Sequence, residues 1–353
     1  MQRQGVIERY KSYLPVSEET PIISLLEGST PLIYAKNISE ILGNGIRLYL
    51  KYEGLNPSGS FKDRGMTMAI SKACEAGSVA TICASTGNTS ASAAAYCASA
   101  KIKSYVIIPK GSIAMGKLAQ AIIHGAKVFA VKGNFDDALN LVKKIAGEYP
   151  VTLVNSLNPY RIEGQKSGAF EICDELEGSP DIHVIPVGNA GNITAYWKGY
   201  KEYLEKGKIH KLPRMFGFQA KGASPIVEDR IFEKPETIAT AIRIGNPASW
   251  KQAVAARDES GGLIEACSDE EILEAYKLLT QKEGVFAEPA SAITIAGLLK
   301  LKRENRLPKD VTISATLTGH GLKDPDCAIN NSLKPEIIEN DYEQLKRIID
   351  ADI

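Results

Sequence analysis

One lysine, Lys62, lies between a turn rich in proline, glycine and serine and a segment with a helical pattern, in "NPSGSFKDRG" (56–65). We expect Ser60 to cap this helix with Asp63 as its capping-box partner, which puts Lys62 in the first turn. The helix dipole disfavours an ammonium group there, so the pKa of Lys62 should be lowered, and burial would lower it further. A neutral amine can condense with an aldehyde. The alternative is an ordinary solvated lysine.

Three further loops carry polar groups where a strand ends. "STGNT" (85–89) offers hydroxyls, an amide and backbone N–H groups, which suit a carboxylate or a phosphate. The glycines of "GNAGN" (188–192) let the backbone approach a phosphate closely, although a bare strand-to-helix turn is the alternative. In "TGHGLKDPD" (318–326), the Thr318 hydroxyl could face a ring nitrogen. Neither GxGxxG nor GxxxxGK[ST] occurs in the sequence, which disfavours nucleotide binding.

The elements that would position these loops alternate between short β-branched runs and helical patterns, which is typical of parallel α/β architecture. The predicted strands are 79–84, 104–109, 126–131, 151–155, 183–188, 215–220 and 311–318. The predicted helices include 63–76, 89–100, 136–148, 192–205 and 268–282. In open parallel sheets, ligands bind beyond the carboxyl ends of the strands, where these loops lie.

Composition narrows the classes of function. The 42 Lys and Arg residues balance the 42 Asp and Glu residues, so the overall charge does not favour nucleic acid or an anionic membrane as a partner. The apolar runs are too short for a membrane span and the first residues lack a signal-peptide core, so we expect a cytoplasmic protein. The six cysteines and four histidines show no metal-binding spacing, and we expect neither a metal nor disulfides.

A reactive lysine, a phosphate site, a carboxylate site and a partner for a ring nitrogen together meet the requirements of pyridoxal 5′-phosphate (PLP) chemistry on an amino acid. Segments spanning nearly the whole chain resemble the threonine synthase family, in the tryptophan-synthase-β-like class of PLP enzymes. They are "TPIISLLEGSTPL", "NPSGSFKDRG", "STGNTSASAAAY", "GNAGNITAYWKGY", "ETIATAIRIGNPASW", "EPASAITIAG" and "TGHGLKDPD". Departures are small: Ser58 replaces a common threonine, and Ala287 a frequent cysteine.

The resemblance implies fold type II, in which two doubly wound open α/β domains with mainly parallel sheets hold PLP in the cleft between them. No linker marks a boundary, so we expect interleaved domains. Residues 57–152 would form the smaller, mobile domain, and residues 1–56 with 153–353 the larger, PLP-binding one. The family also suggests a homodimer.

The resemblance also implies roles for the cofactor-binding residues. Lys62 would bind PLP covalently and then act as acid and base. Phe61 would lie near the ring, Asn88 would hydrogen-bond the 3′-oxygen, and Thr318 would face the pyridine nitrogen. A neutral hydroxyl does not enforce a protonated ring, which suits elimination and replacement more than transamination. The 5′-phosphate would be bound by Gly188, Asn189, Ala190, Gly191 and Asn192.

The implied substrate is O-phospho-L-homoserine, which would lose phosphate from Cγ and gain water at Cβ to give L-threonine. Its phosphate needs its own site, and Arg161 has the strongest physical case because a planar guanidinium binds phosphate at two points. The alternative for Arg161 is a surface salt bridge. The candidates resembling the family's substrate-phosphate site are Ser85, Lys117, Asn155, Ser156 and Arg161, with Asn189 reaching across. The substrate carboxylate would bind Thr86, Asn88 and Thr89.

Two other functions stay open at this point. A PLP-dependent threonine or serine dehydratase would lack the phosphate clamp beside Lys117 and Arg161. A non-catalytic nucleotide-binding regulator would use the glycine loops for a nucleotide and would be colourless when purified.

Overall fold

The computed structural model describes residues 3–110, 115–133 and 135–352, apart from the side chains of residues 115–117, 135, 136 and 352. The strands are β1 Leu32–Tyr34, β2 Arg47–Tyr52, β3 Ala80–Ala84, β4 Lys103–Pro109, β5 Lys127–Val131, β6 Val151–Leu153, β7 Ile182–Pro186, β8 Arg214–Ala220, β9 Leu263–Cys267 and β10 Thr312–Leu317. The helices are α1 Val6–Arg9, α2 Lys36–Leu42, α3 Lys62–Glu75, α4 Asn88–Ala100, α5 Met115–Ile123, α6 Phe135–Glu148, α7 Pro159–Gln165, α8 Ser167–Leu176, α9 Gly191–Glu205, α10 Pro225–Glu228, α11 Trp250–Glu259, α12 Asp269–Glu283, α13 Pro289–Arg303, α14 Pro325–Asn330 and α15 Tyr342–Asp352.

The larger sheet has six strands in the order β1-β2-β10-β7-β8-β9. Only the β1–β2 pair at its edge is antiparallel; the other pairs are parallel. One face of the sheet packs on α12 and α13, and the other packs on α8, α9 and α11. Both faces are therefore covered, and the residues of β7, β8 and β10 are almost all buried.

The smaller sheet is formed by residues 80–153, has the order β5-β4-β3-β6 and is parallel throughout. Helices α4 and α5 cover one face, and α6 covers the other. The chain therefore folds around two doubly wound open sheets, as the sequence predicted. None of the described helices is long and apolar enough to cross a membrane.

The last strand of the chain, β10, lies in the middle of the larger sheet. It pairs with β2 from the first part of the chain on one side and with β7 on the other. The loop after β10 therefore begins at the centre of the carboxyl edge, which is where an open parallel sheet binds its ligands.

Helix α3 packs on both halves of the molecule. Met66, Ala69 and Ile70 are buried in the core of the smaller sheet, whereas Met68 is buried with α8 and α9 in the larger half. The helix that begins at Lys62 is therefore held from both sides.

A buried ionic network fixes the first turns of α3. The guanidinium of Arg64 bonds both oxygens of Glu53, at 2.6 and 2.8 Å, and both oxygens of Glu171, also at 2.6 and 2.8 Å. Lys51 lies 3.0 Å from Glu171, and the side chains of these four residues are at most 1% exposed. Opposite charges and bidentate geometry offset the cost of removing these ions from water.

All seven predicted strands are present, with ends shifted by a few residues, and so are the predicted helices. Three strands were missed: β1, β2 and β9. β1 has only three residues, and β2, "RLYLKY", carries two basic side chains in a six-residue run. The buried ammonium of Lys51 in β2 is paired with Glu171, a contact from a distant part of the chain that local sequence patterns cannot predict.

Candidate active site

Lys62 lies in the first turn of α3, as the sequence predicted, but the predicted capping box is wrong. The N-cap residue is Phe61, whose side chain makes no capping bond, and the Ser60 hydroxyl accepts only a 3.4 Å hydrogen bond from the N–H of Lys62. The Asp63 carboxylate instead accepts hydrogen bonds from the backbone N–H and hydroxyl of Ser58, at 2.6 and 2.5 Å, and from the Ser92 hydroxyl at 2.6 Å. Asp63 is fully buried, so it bonds the turn before the helix and the neighbouring helix α4 rather than the N-terminal N–H groups of its own helix.

The Lys62 amine has a pKa well below its ordinary value. Burial is the main cause, the nearby Arg161 guanidinium lowers the pKa further, and the Glu288 carboxylate opposes both effects. The direction is the one predicted from the sequence, but the main cause is desolvation rather than the helix dipole. The Lys62 Nζ lies 4.3 Å from the centre of the Phe61 ring. The site therefore favours a neutral amine beside an aromatic side chain.

Glu288 connects two of the predicted cofactor ligands. One carboxylate oxygen accepts a hydrogen bond from Asn88 at 3.0 Å, and the other accepts one from the Thr318 hydroxyl at 2.8 Å. Thr318 also lies 3.0 Å from the Ser291 hydroxyl. Three loops from different parts of the chain thus meet beside Lys62.

Glu288 was not among the site residues predicted from the sequence, although its sequence context is distinctive. In "GVFAEPASAITIAG" it is the one charged residue in an otherwise apolar and small run, directly before the proline that opens α13. Burial raises its pKa, while the bonds from Asn88 and Thr318 lower it. An acid in such a place must find polar partners within the fold.

The loop "GNAGN" has the form of an anion site. Ala190 adopts the left-handed conformation, with φ 63° and ψ 0°, directly before α9, so that successive N–H groups face one side. A Cβ on Gly188 would lie 2.9 Å from the Cα of Ile242, so this position has no room for a side chain. Both polar atoms of the Asn192 amide are buried and have no hydrogen-bond partner among the described residues. A phosphate bound at the N-terminus of α9 would fit this loop.

The loop 188–192 is held in place by the segment "IRIGNPASW". The side-chain oxygen of Asn189 accepts a hydrogen bond from the N–H of Ala248 at 3.0 Å, and its backbone carbonyl accepts one from the N–H of Ser249 at 3.2 Å. Asn189 therefore positions the loop, and its side-chain oxygen is already engaged.

Arg161 is buried, with 1% of its surface exposed, so the alternative of a surface salt bridge is wrong. One terminal N–H group bonds the carbonyl of Val154 at 3.3 Å, and Nε has no hydrogen-bond partner among the described residues. Among the described residues no carboxylate pairs with the guanidinium, and burial lowers the pKa of Arg161 to about 10. This guanidinium, which lies close enough to Lys62 to lower the pKa of its amine, can still accept an anion.

The other residues predicted to bind the substrate differ in their burial and contacts. Asn155 is buried, and its amide bonds the N–H and C=O of Ala84, each at 2.9 Å, which joins the ends of β3 and β6. Ser85, Thr86 and Thr89 are half-buried at the start of α4, and Ser156 is half-buried beside Asn155. The side chain of Lys117, on α5, lies outside the described residues.

Residues 23–319 match the family model described as "Pyridoxal-phosphate dependent enzyme". The chain is 60% identical to a threonine synthase of Bacillus sp. (strain ULM1), over 97% of each chain. It is 55% identical to a threonine synthase of Methanocaldococcus jannaschii, over 98% of this chain and 88% of the relative.

Solved structures with lower sequence identity share the fold. Maize serine racemase superposes with a TM-score of 0.73 at 20% identity, over 95% of each chain. The processed form of threonine deaminase isoform 2 from Solanum lycopersicum superposes with a TM-score of 0.73 at 18% identity, over 97% of this chain and 88% of that one. At these identities the likeness concerns the fold, which is that of fold type II PLP enzymes.

Proposed function

We infer the reaction from the premise that this chain belongs to the threonine synthase family of pyridoxal-phosphate dependent enzymes. It is a PLP-dependent lyase that forms L-threonine. We propose that its substrate is O-phospho-L-homoserine and that Arg161 binds the phosphate that leaves. The observation that carries this proposal is a buried guanidinium, free of any carboxylate in the described structure, beside the amine of Lys62.

The cofactor supplies an electron-withdrawing ring that stabilises negative charge on the substrate carbon atoms. The rest of the chemistry falls to residues of this chain. The loop 188–192 would hold the cofactor phosphate at the N-terminus of α9, with Asn192 as a side-chain ligand. Lys62, neutral because it is buried, accepts and returns protons at its Nζ.

Asn88 and Thr318 would contact the cofactor ring, and Glu288 bonds both of them. The Thr318 hydroxyl can donate one hydrogen bond, and in this structure it donates that bond to Glu288. With the cofactor bound, Thr318 would face the pyridine nitrogen, and Ser291 could hydrogen-bond the Thr318 oxygen from behind. We propose that the substrate carboxylate binds the hydroxyls and N–H groups of Thr86, Asn88 and Thr89 at the start of α4.

We further propose that residues 57–152 form a smaller, mobile domain that closes over the substrate and excludes water from the site. The remaining residues form the larger domain, on which the cofactor phosphate is bound. The enzyme acts as a homodimer in the cytoplasm.

Gly191 provides a test of the cofactor phosphate site. A Cβ at Gly191 would lie 3.6 Å from Ile162 and 4.0 Å from Ser249, so the fold itself tolerates a side chain there. We expect Gly191→Leu to obstruct the close approach of a phosphate and to raise the Kd for PLP by about tenfold or more, the effect of one lost charge-assisted hydrogen bond.

PLP titration followed by absorbance would measure the effect on binding. Gly178→Leu is the matched control, because a Cβ at Gly178 meets nothing within 4 Å. If Gly191→Leu binds PLP as the unmodified enzyme does, the cofactor phosphate lies elsewhere.

Arg161→Lys tests the substrate. An ammonium keeps the charge but loses the two-point geometry, so we expect kcat/KM for O-phosphohomoserine to fall by roughly ten- to a hundredfold, which corresponds to about 1.5 to 3 kcal/mol. The cofactor spectrum should not change. The assays are phosphate release and threonine formation. The control is Arg257→Lys, at a half-buried arginine that pairs with Asp258.

The same assays separate synthase from dehydratase. We expect little 2-oxobutanoate from threonine as substrate. Efficient dehydration of threonine without phosphate release from O-phosphohomoserine would contradict the proposed substrate. Full activity of Arg161→Lys would be consistent with the proposed substrate but would show that residues other than Arg161 bind its phosphate.

A further inference from the structure

A lysine outside the predicted site, Lys323, connects the two halves of the molecule. It lies in the 3-10 turn that follows β10, and its Nζ donates a hydrogen bond to the side-chain oxygen of Gln120, on α5, at 2.5 Å. The amide nitrogen of Gln120 donates to the backbone carbonyl of Ser58 at 3.1 Å. One amide thus joins the loop after β10 to the turn that precedes Lys62.

The aliphatic part of Lys323 passes directly over that turn. Gly59 has φ +86°, and a Cβ built on it would lie 2.9 Å from Cε of Lys323. The backbones on either side pair as well, because the N–H of His320 bonds the carbonyl of Gly59 at 3.0 Å and the N–H of Phe61 bonds the carbonyl of Thr318 at 2.9 Å. The Lys323 side chain is therefore held at its Cε by the turn at Gly59 and at its Nζ by Gln120.

The Lys323 ammonium is a partly buried charge that lacks a paired carboxylate in the described structure. No carboxylate pairs with it within 4.0 Å across the described residues, and its pKa is lowered by burial, with Asp63 and Glu288 opposing the shift from further away. A partly buried cation without an ion pair costs stability unless its hydrogen bonds replace the lost solvation. The bond to Gln120 is the one hydrogen bond that the described residues give it.

The Gln120 amide continues into a wider polar network. The same Ser58 whose carbonyl accepts from Gln120 gives its N–H and its hydroxyl to Asp63 on α3. Asp63 also accepts from Ser92 on α4. Helices α3, α4 and α5 of the smaller half are thus joined, through one chain of bonds, to a loop of the larger half.

We propose that Lys323 is a positioning residue: through Gln120 it fixes α5, which carries the predicted phosphate ligand Lys117, against the turn that carries Lys62. The inference rests on the proposed function, because it assigns α5 to the phosphate side of the substrate site. When the bond is broken, the substrate must order α5 itself as it binds, so binding weakens while the chemical step is unchanged.

Kinetics on the purified PLP-bound enzyme test this. We expect Lys323→Met to raise KM for O-phosphohomoserine by about tenfold and to change kcat by less than about twofold. Lys323→Arg, which can still donate to Gln120, should recover most of the affinity. Lys309→Met, at an exposed lysine, is the control and should behave as the unmodified enzyme. The PLP absorption spectrum should be the same throughout.

The partner residue provides a second test. Gln120→Leu, which breaks the bonds to both Lys323 and Ser58, should raise KM by at least as much, and adding Lys323→Met to it should change KM little, because the bond between Lys323 and Gln120 is already broken. Multiplied effects would show that the two residues act independently, which would overturn the proposal. So would a lowered Tm and kcat with an unchanged KM, because that pattern indicates a general structural role.

Hydrogen exchange followed by mass spectrometry tests the proposal without turnover. In Lys323→Met, peptides covering α5 should exchange faster, and peptides covering β7 and β8 should not change. Unchanged exchange in α5 would overturn the proposal. If the unmodified enzyme released no phosphate from O-phosphohomoserine, the proposed substrate would fail, whereas the exchange experiment would still decide whether Lys323 fixes α5.

Discussion

Lys62→Ala should lower threonine formation by at least about a thousandfold, because it removes the group that accepts and returns protons at the reacting carbon atoms. It should also remove the covalent attachment of the cofactor, so that PLP is lost on dialysis. Borohydride treatment of the unmodified protein should label Lys62 with a pyridoxyl group, which peptide mapping can locate. Lys72→Ala, further along the same helix in an ion pair with Glu75, should remain active.

The pH dependence follows from the lowered pKa of Lys62. An amine with a depressed pKa is protonated only at pH values below that pKa, and its neutral form persists far below pH 10.5, the ordinary value. The base should therefore work at pH values well below those at which a solvated lysine loses its proton. A label on another lysine, or a Lys62→Ala enzyme with near-normal activity, would contradict the assignment of Lys62.

The second large effect concerns stability. Arg64→Met should lower the free energy of unfolding by about 3 to 5 kcal/mol, because Glu53 and Glu171 would keep their charges in the interior without the cation that bonds both. Urea denaturation of the PLP-free protein would measure the change. Arg303→Met breaks an exposed pair with Glu271 and should cost about 1 kcal/mol or less. Equal costs for the two variants would contradict this account of the network.

Acid should weaken the same network. The pKa of Glu171 is held well below its ordinary value, with burial opposed by the attraction of Arg64 and Lys51 and by hydrogen bonds. A carboxylate with a lowered folded-state pKa contributes stability that is complete above its unfolded pKa, near 4.5, and is lost as the pH falls below it. Stability should therefore decline below about pH 4.5 in the unmodified protein, and this decline should be smaller in Arg64→Met.

Much of the fold could be predicted because parallel sheets buried on both faces have apolar strands, and their alternation with helices is a local signal. The strands that were missed are exceptions for physical reasons. β2 brings Lys51 into the interior, which is possible only because Glu171 and Glu175 reach it from α8. Residues distant in sequence make that charge tolerable, and no local pattern reveals them.

The same reasoning applies to the site. Lys62 and the loops at strand ends could be predicted because glycine-rich and hydroxyl-rich turns have a distinctive composition. The contacts of Glu288 and Lys323 could not, because they join loops that are far apart in the chain. The predicted capping role of Asp63 was wrong for a related reason: Ser58 and Ser92 provide better bonds once the fold has formed.

The central position of β10 has a consequence for how the protein is made. The smaller sheet ends at β6, so all its strands leave the ribosome early, and it can form while the rest of the chain is being synthesised. The larger sheet cannot close until β10, which lies between β2 and β7, has been translated. Until then β2 and β7 both lack a neighbour, and Thr318 is absent from the site. A nascent chain can therefore complete the site only after β10 has been translated, so termination before β10 yields no partly active enzyme.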